Sequence, residues 1–512
     1  MPESKISNNQ RIAKNTILLY GRMMFTMALS LYTSRIILNA LGIEDYGIYN
    51  VVGGIVAMFA FLNGALITTS QRYITFGLGK GDNSNLRVIF STCILVHIIL
   101  ALFITILCET AGLWFFYNKM NVPEARMGAA MWVFQISVVN MVVSIMSAPY
   151  NAVIIAHERM NVFAVITIFA ALIKLAFVYI LLISNVDRLI LYAILMLLVQ
   201  VIVLALYIWY CKRHYSEVLL TKKLGKPLIT EIAKFAGWNV WGNLAATLYG
   251  TGVNLLLNVF FGPIVNAARG IAIEIESGIM NFATNFLMAA NPQITKLYAQ
   301  HNLSEMHTLL FRVCKFCCYL ILLFTVPIMM ETSTILTLWL KTFPEWTVQF
   351  VQILMFIVLV DAMSRPLMTA AAATGNVKKY QAVVGGLLLS IFPLSYIVLK
   401  LGGNPLSVYV VHLSVYLVAF IARLFIIRPL ISLSIRQFFV SVIVPCTIVT
   451  SVSYGIAYLI KSLMPVGILA SLTTCAICVL IVGIVAYGIG LTTRERNFVN
   501  EKAISVIRKI KK

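Results

Sequence analysis

The sequence predicts an all-α integral membrane protein with about fourteen membrane-spanning helices. Of its 512 residues, 61% are hydrophobic and only 11% are charged, whereas soluble globular proteins are about 25% charged. The mean hydropathy is correspondingly high, at +0.93. Apolar stretches of about 20 residues, the length that a helix needs to cross a bilayer, recur along the whole chain. Short polar turns separate them, so no large soluble domain is expected.

Each predicted span is an apolar run that is bounded by polar or glycine-containing turns. The apolar run after the basic N-terminus is longer than a signal-peptide core, and no small-residue cleavage site follows it. We therefore expect an uncleaved first membrane helix. The predicted spans are 14–38, 46–75, 87–116, 127–155, 160–183, 188–211, 231–260, 264–291, 308–330, 347–374, 380–400, 405–429, 437–461 and 466–491.

The charge distribution supports this topology. Lysine and arginine outnumber aspartate and glutamate by 39 to 18, and the basic residues fall in short clusters at every second turn. Nucleic-acid binding would place such charge on one soluble face, so no nucleic acid is expected as a partner. By the positive-inside rule, both termini are predicted to be cytoplasmic, as in a multi-pass protein of a bacterial inner membrane. The predicted cytoplasmic clusters include Arg11, Lys14, Arg72, Lys80, Arg159, Lys212, Arg213, Lys222, Lys223, Lys296, Lys378, Lys379, Arg428 and Arg436.

An internal repeat predicts two six-helix lobes. The stretch around Asn39 and Gly42 can be laid against that around Asn258 and Gly262, with an offset near 220 residues. Six helices is an even number, so the copies keep the same orientation and form a parallel repeat, with the substrate expected between the lobes. The predicted parts are an N-terminal lobe 1–213, a cytoplasmic linker 214–230, a second lobe 231–430, two additional helices 431–491 and a basic amphipathic tail 492–512.

Cationic side chains inside the first five spans need a physical reason, because each costs roughly 2.5–3.5 kcal/mol on insertion scales. Arg22 lies on a polar face of the first span, and Arg35 lies nearer its outer end, where snorkelling is an equal alternative. Lys174 lies in the middle of the fifth span with no polar neighbour on its own helix. A water-filled cavity explains Lys174 better than a paired structural role does.

The seventh, eighth and tenth spans carry further polar groups. Two adjacent polar stripes with three charges exceed what helix packing needs. In the tenth span Asp361 and Arg365 are four residues apart, so they can pair with each other. The stripes of the seventh and eighth spans include Asn239, Asn243, Arg269, Glu274, Glu276 and Asn281.

Taken together, the ionisable groups inside the spans are mainly cationic, which suits an anionic substrate such as a phosphate or diphosphate headgroup. Coupling to protons or sodium would use Glu274, Glu276 or Asp361. No catalytic residue, metal or organic cofactor is predicted, since the nine cysteines lie in apolar runs, where cysteine is a small hydrophobe. The predicted substrate-binding residues are Arg22, Arg35, Lys174, Asn239, Asn243, Arg269, Asn281 and Arg365.

The first helix pair, NTILLYGRMMFTMALSLYTSRIILNALGIEDYGIYNVVGGI, and above all Leu41 to Gly47, resembles polysaccharide-export flippases of the O-antigen type. These belong to the superfamily of multidrug, oligosaccharidyl-lipid and polysaccharide exporters, which includes the MATE multidrug transporters and the lipid II flippase. In similar flippases, cationic residues on the first and eighth helices line a central cavity, and Arg22 and Arg269 occupy comparable places. No arginine lies within the body of the second span, where the lipid II flippase would have one, and this argues weakly against a peptidoglycan precursor.

The resemblance implies a non-enzymatic transporter with a MATE-like fold that works by alternating access. Its cargo would be an undecaprenyl-diphosphate-linked oligosaccharide, moved to the periplasmic leaflet for O-antigen, capsule or exopolysaccharide assembly. The implied partners are the lipid bilayer and this lipid-linked glycan, and a polysaccharide polymerase is left open as a protein partner. No protein partner follows from the residues themselves.

Two alternatives remain at this point. A cation-coupled MATE-type drug exporter would share the fold, and the cationic polarity of the spans argues against it. A membrane glycosyltransferase or polymerase could use the acidic pair Glu44 and Asp45, but it would need a long outer loop. We therefore interpret this pair as a tight turn between two membrane helices.

Overall fold

The computed structural model describes residues 8–57, 60–81, 83–119, 123–184, 186–221, 226–465, 467–493, 495–497 and 500. For some helix residues within these ranges, Arg35 and Glu44 among them, it describes the backbone alone. The predicted tail 492–512 falls mostly outside the described residues, as does the segment 222–225 of the predicted linker.

The described residues are almost entirely helical and contain no β-strand. Short π-helical segments at Cys108–Gly112, Phe439–Ile443 and Ala486–Gly490 adjoin the helices, and 3₁₀ turns lie at Glu124–Arg126 and Ser216–Val218. The α-helices are α1 (Asn8–Ala57), α2 (Ala60–Lys80), α3 (Asn83–Leu107), α4 (Leu113–Lys119), α5 (Met127–Ala156), α6 (Met160–Ile183), α7 (Arg188–His214), α8 (Lys226–Phe261), α9 (Pro263–Ala299), α10 (Leu303–Leu340), α11 (Thr347–Ala373), α12 (Lys378–Lys400), α13 (Pro405–Ile431), α14 (Ile435–Phe438), α15 (Val444–Leu463) and α16 (Ile468–Val485).

Within the described residues, eleven helices are long and apolar enough to cross a membrane, and they coincide with eleven of the predicted spans. The other three predicted spans fall in α1, α2 and α9, which are helical as expected. In α9, Arg269, Glu274 and Glu276 lower the hydropathy below that of an ordinary span. The prediction of an all-α membrane architecture is therefore confirmed.

A glycine interrupts the helical chain at each of the two aligned repeat positions. Gly42 breaks α1 with φ 77° and ψ 170°, where the turn between the first two spans was predicted. Gly262 separates α8 from α9 with φ 79°. Only glycine adopts this left-handed region without steric strain, so both breaks are encoded by residue type.

The chain divides into two compact units. Unit 1 comprises Met1–Leu244 and Met288–Asn302, and unit 2 comprises Ala245–Leu287 and Leu303–Lys512. The helices α8 and α9 therefore each contribute residues to both units. The lobe boundaries expected from the sequence repeat stay a prediction, since packing units need not coincide with repeats.

Apolar side chains fill the interior of unit 1 and also cover its outside. Phe116, Phe134 and Ile145 are completely buried in one core cluster. Leu102 and Ile106 of α3 are exposed, as expected for helices whose outer faces contact lipid acyl chains. The few polar side chains within the helices are therefore the candidates for function.

Candidate functional site

Arg269 of α9 is buried in unit 2 by neutral hydrogen-bond partners from α8. Its residue surface is only 4% exposed. Its Nε donates to Asn254 Oδ1 at 2.9 Å, and its Nη2 donates to the carbonyl of Gly250 at 3.3 Å. The guanidinium carbon lies 5.8 Å from the ring centroid of Tyr409 on α13. No described carboxylate forms a salt bridge with Arg269, so its direct contacts are two hydrogen-bond acceptors and a ring face.

Two carboxylates belong to the same cluster. Asp361 and Arg365 of α11 form the predicted pair, with Nε and Nη2 of the arginine each 2.9 Å from Asp361 Oδ2. Glu276, two turns along α9 from Arg269, interacts electrostatically with Asp361, Arg269 and Arg365. The structure thus brings together four of the residues singled out in the sequence: Arg269, Glu276, Asp361 and Arg365.

Aromatic residues and a histidine that sequence reasoning missed complete this cluster. The hydroxyls of Tyr249 on α8 and Tyr416 on α13 are 2.9 Å apart. The His412 ring on α13 lies 4.7 Å from that of Tyr416 and 5.5 Å from that of Tyr249. The signal was available, because Tyr409, His412 and Tyr416 follow helical spacing inside an apolar span.

Two other predicted residues of unit 2 lie away from this cluster. Glu274 is exposed, since it projects from a different face of α9 than Glu276 does. Asn281 is exposed as well, and its main-chain carbonyl accepts a hydrogen bond from the Asn285 side chain at 2.8 Å. Neither residue contributes a side chain to the contacts around Arg269.

Lys174 of α6 projects into the interior of unit 1. Val165, Phe169 and Leu172 form an exposed apolar stripe along α6. Lys174 is nine residues from Val165, which at 3.6 residues per turn places it on the opposite face. It is half-buried, and no salt bridge to it is found in the described part of the chain. The water-filled cavity predicted around Lys174 stays a prediction.

Arg22 of α1 packs against the neighbouring helices of the same unit. Its guanidinium carbon lies 4.9 Å from the ring centroid of Phe163 on α6, a cation–π distance. Tyr207 on α7 lies near the same side chain. Arg22 and Lys174 therefore both belong to the helical interior of unit 1, and Phe163 and Lys174 share one face of α6.

The predicted asparagines of α8 take part in helix packing within unit 1. Asn239 is buried, and its Nδ2 donates to the Phe235 carbonyl at 3.1 Å. Asn243 Nδ2 would lie 3.6 Å from a Cβ atom at Gly64 of α2. Both side chains are thus engaged in the protein interior. The side chain of Arg35 lies outside what the structure describes.

Salt bridges connect the acidic turn after Gly42 to neighbouring helix ends. Arg126 donates Nε and Nη2 to the carboxylate of Asp45 at 2.9 and 2.6 Å, and Nη1 to Asp187 at 2.6 Å. Asp187 also caps α7 by accepting from the amides of Leu189 and Ile190. Burial would raise the pKa of Asp187, but these hydrogen bonds bring it below its usual value. The Glu44 side chain lies outside the described residues.

No group of three or more His, Cys, Asp or Glu residues that could hold a metal ion occurs among the described positions. The Asp45 carboxylate is occupied by a bidentate arginine, which leaves it no free oxygen pair for a metal. The geometry of this turn is that of a structural contact between helix ends.

Comparison with known proteins decides the fold. No family model matches the chain, and no curated protein matches its sequence. A solved structure described as an outward-facing multidrug resistance MATE family transporter of the MOP superfamily matches with a TM-score of 0.71. The match covers 84% of this chain and 99% of that one at 14% identity. This protein has the MATE fold.

Two further structures extend this likeness. A MATE structure in the straight conformation matches with a TM-score of 0.70 at 16% identity, over 84% of this chain and 97% of that one. A MOP superfamily transporter from Pyrococcus furiosus, whose reverse pocket polarity suggests a different function, matches with a TM-score of 0.69. That match has 15% identity and covers 84% of this chain and 99% of the other. The predicted MATE-like architecture is confirmed at the level of fold.

Proposed function

We propose that this MATE-fold protein is a non-enzymatic flippase for undecaprenyl-diphosphate-linked oligosaccharides in a bacterial inner membrane. It would move its cargo from the cytoplasmic to the periplasmic leaflet by alternating access. The observation that carries the proposal is the positive charge of two side chains inside the helices. Lys174 in unit 1 lies in α6, which is long and apolar enough to cross a membrane, and Arg269 in unit 2 lies in α9, within the predicted eighth span. Neither forms a salt bridge with a described carboxylate.

The energetics favour an anionic ligand for these groups. A cation inside a bilayer is unfavourable, so natural proteins keep one there for a partner or a pathway. Lys174 has no described counterion, whereas Glu276 lies in the same cluster as Arg269 without a salt bridge to it. A diphosphate offers several charged oxygens to a lysine ammonium or an arginine fork. The P. furiosus neighbour, with its reverse pocket polarity, supports the view that this fold accommodates ligands of more than one charge.

A cation-coupled drug exporter is the second candidate, and one specific observation supports ion coupling in either candidate. Glu276 and Asp361 lie in one electrostatic cluster within unit 2, and Glu276 forms no salt bridge with a described residue. A cluster of this kind suits a proton or a sodium ion. In the flippase proposal the same two carboxylates serve as the coupling site, so the substrate itself distinguishes the candidates.

The deciding experiment offers both substrates to purified protein in proteoliposomes. One set of vesicles contains a fluorescent polyprenyl-diphosphate oligosaccharide with an impermeant quencher or glycosidase outside, and the other contains a cationic dye. Proton and sodium gradients are imposed in turn. We expect the wild type to translocate the lipid. Arg269→Glu should lose this activity, and the exposed control variant Lys400→Glu should retain it. Dye export without lipid translocation would establish the drug exporter instead.

A further inference from the structure

The carboxylate of Glu158, in the turn between α5 and α6, is buried among cationic and amide donors of unit 1. Its side chain is only 1% exposed. It accepts from Lys296 Nζ and Gln293 Nε2 of α9, each at 2.5 Å, and lies 3.5 Å from Arg11 Nε of α1. Asn15 of α1 donates to the Glu158 carbonyl at 3.4 Å. The ends of α1 and α9 therefore converge on one acidic side chain in the turn between α5 and α6.

The backbone at Glu158 is the kind that normally selects glycine. Its φ is 59°, in the left-handed region. The amides of Glu158 and Arg159 donate to the carbonyls of Ile155 and Ile154, which is the Schellman pattern at the end of α5. Glycine is the favoured residue at this position, and a glutamate there is strained. Such a strained residue points to a role for its side chain.

The charges around Glu158 do not balance within the cluster. One carboxylate faces two cations, Lys296 and Arg11, together with the Gln293 amide. An ammonium, a guanidinium and an amide N–H are the donors with which proteins recognise phosphate oxygens. The cluster thus has the donors of a phosphate-binding site, and the Glu158 carboxylate occupies the place of the phosphate. Arg11, whose side chain is 48% exposed, leaves the cluster accessible from solvent.

We propose that this cluster is an entry site for the diphosphate headgroup, which displaces Glu158 from Lys296, Gln293 and Arg11. The assignment of a lipid-borne diphosphate rests on the proposed function. These helix ends lie on the side predicted to be cytoplasmic, which is the side where the proposed cargo would enter. Displacement releases Lys296 from the turn and so loosens the end of α9, residues 288–302, which packs in unit 1. Glu158 then acts as an internal anion that keeps the site closed until a headgroup arrives.

The binding test uses inorganic pyrophosphate with purified full-length protein in detergent, measured by calorimetry. Glu158→Gly removes the internal anion and relieves the backbone, so this variant should fold. We expect it to bind pyrophosphate about tenfold more tightly than the wild type, the effect of freeing one charge-assisted contact. Adding Lys296→Gln should abolish that gain, whereas the exposed control Lys234→Gln should not. Equal binding by wild type and Glu158→Gly would overturn the proposal.

A second arm identifies the source of the diphosphate. Nanodiscs that contain polyprenyl diphosphate should compete with pyrophosphate in Glu158→Gly, and nanodiscs with phosphatidylcholine alone should not. Pyrophosphate binding without competition by the lipid would refute a lipid-borne headgroup at this site. Neither arm needs translocation. Binding as expected with no transport in proteoliposomes would therefore leave the site standing and count against the flippase function alone.

Discussion

Gly42 and Gly262 have nearly the same φ angle, 77° and 79° respectively. They stand at matching positions of the sequence repeat, about 220 residues apart. At Gly262 the amide also donates to the Asn258 carbonyl at 2.8 Å, which ends α8 with a helical contact. The repeat therefore preserves a helix break as well as an apolar pattern, and the break depends on glycine.

Replacement of either glycine by alanine should destabilise the protein through its backbone. A Cβ atom at Gly42 or Gly262 meets no atom within 4 Å, so the penalty comes from φ alone. We expect a loss of about 1 kcal/mol or more for each variant, seen as a lower thermal unfolding midpoint in detergent. Gly21→Ala is the control, since that glycine lies inside α1 without close neighbours and should be neutral or stabilising. Equal effects at all three sites would contradict this interpretation.

The salt-bridge network of Asp45, Arg126 and Asp187 should contribute to stability and should not affect transport. Arg126→Gln leaves two carboxylates facing each other, and we expect a loss of about 1 kcal/mol in this partly exposed network. A double-mutant cycle with Asp45→Asn measures the coupling by thermal unfolding. Translocation by the folded variants should stay at the wild-type rate. A transport defect in a stably folded Asp45→Asn variant would assign the turn a functional role.

The contact between Glu495 and Lys315 should make stability depend on acid pH. Burial would raise the pKa of Glu495, but hydrogen bonds from Lys315 Nζ at 2.7 Å and the Thr492 amide at 2.8 Å bring it below its usual value. A depressed folded-state pKa gives stability that is present above the unfolded value of about 4.3 and lost as the pH falls through the folded value.

Glu495→Gln measures this contribution directly. Its unfolding midpoint should lie below that of the wild type at pH 7, and the difference should shrink as the pH falls below about 4. A constant difference between about pH 7 and pH 3.5 would show that Glu495 acts through packing rather than charge. Glu345→Gln, at an exposed position after the end of α10, serves as a control for general acid effects.

The fold could be predicted from the sequence because its signals are local. Span length, turn residues and charge clusters each involve neighbouring positions, and the Asp361–Arg365 pair involves one helical turn. Lys174 was predicted to face away from lipid because a charged side chain in the middle of a span is unfavourable there. These inferences need no knowledge of which helices touch.

The remaining contacts could not be predicted because they join distant positions. Glu158 meets Gln293 and Lys296 at separations of 135 and 138 residues, and nothing in the turn sequence indicates a left-handed backbone. His412 needed only the rule that polar groups within spans require a reason, yet its partner Tyr249 lies on another helix. Asn239 stays a predicted substrate-binding residue; its hydrogen bond to the Phe235 carbonyl lies within α8.

The central claim is that cationic side chains inside the helices carry an anionic headgroup across the membrane. Translocation of a fluorescent polyprenyl-diphosphate oligosaccharide by Lys174→Met, compared with Lys174→Arg and the exposed control Lys400→Met, tests it most directly. Loss of one charge-assisted contact predicts a rate at least about tenfold lower for Lys174→Met. Lys174→Arg should retain most of the activity and Lys400→Met all of it. Translocation by Lys174→Met at the wild-type rate would contradict the claim.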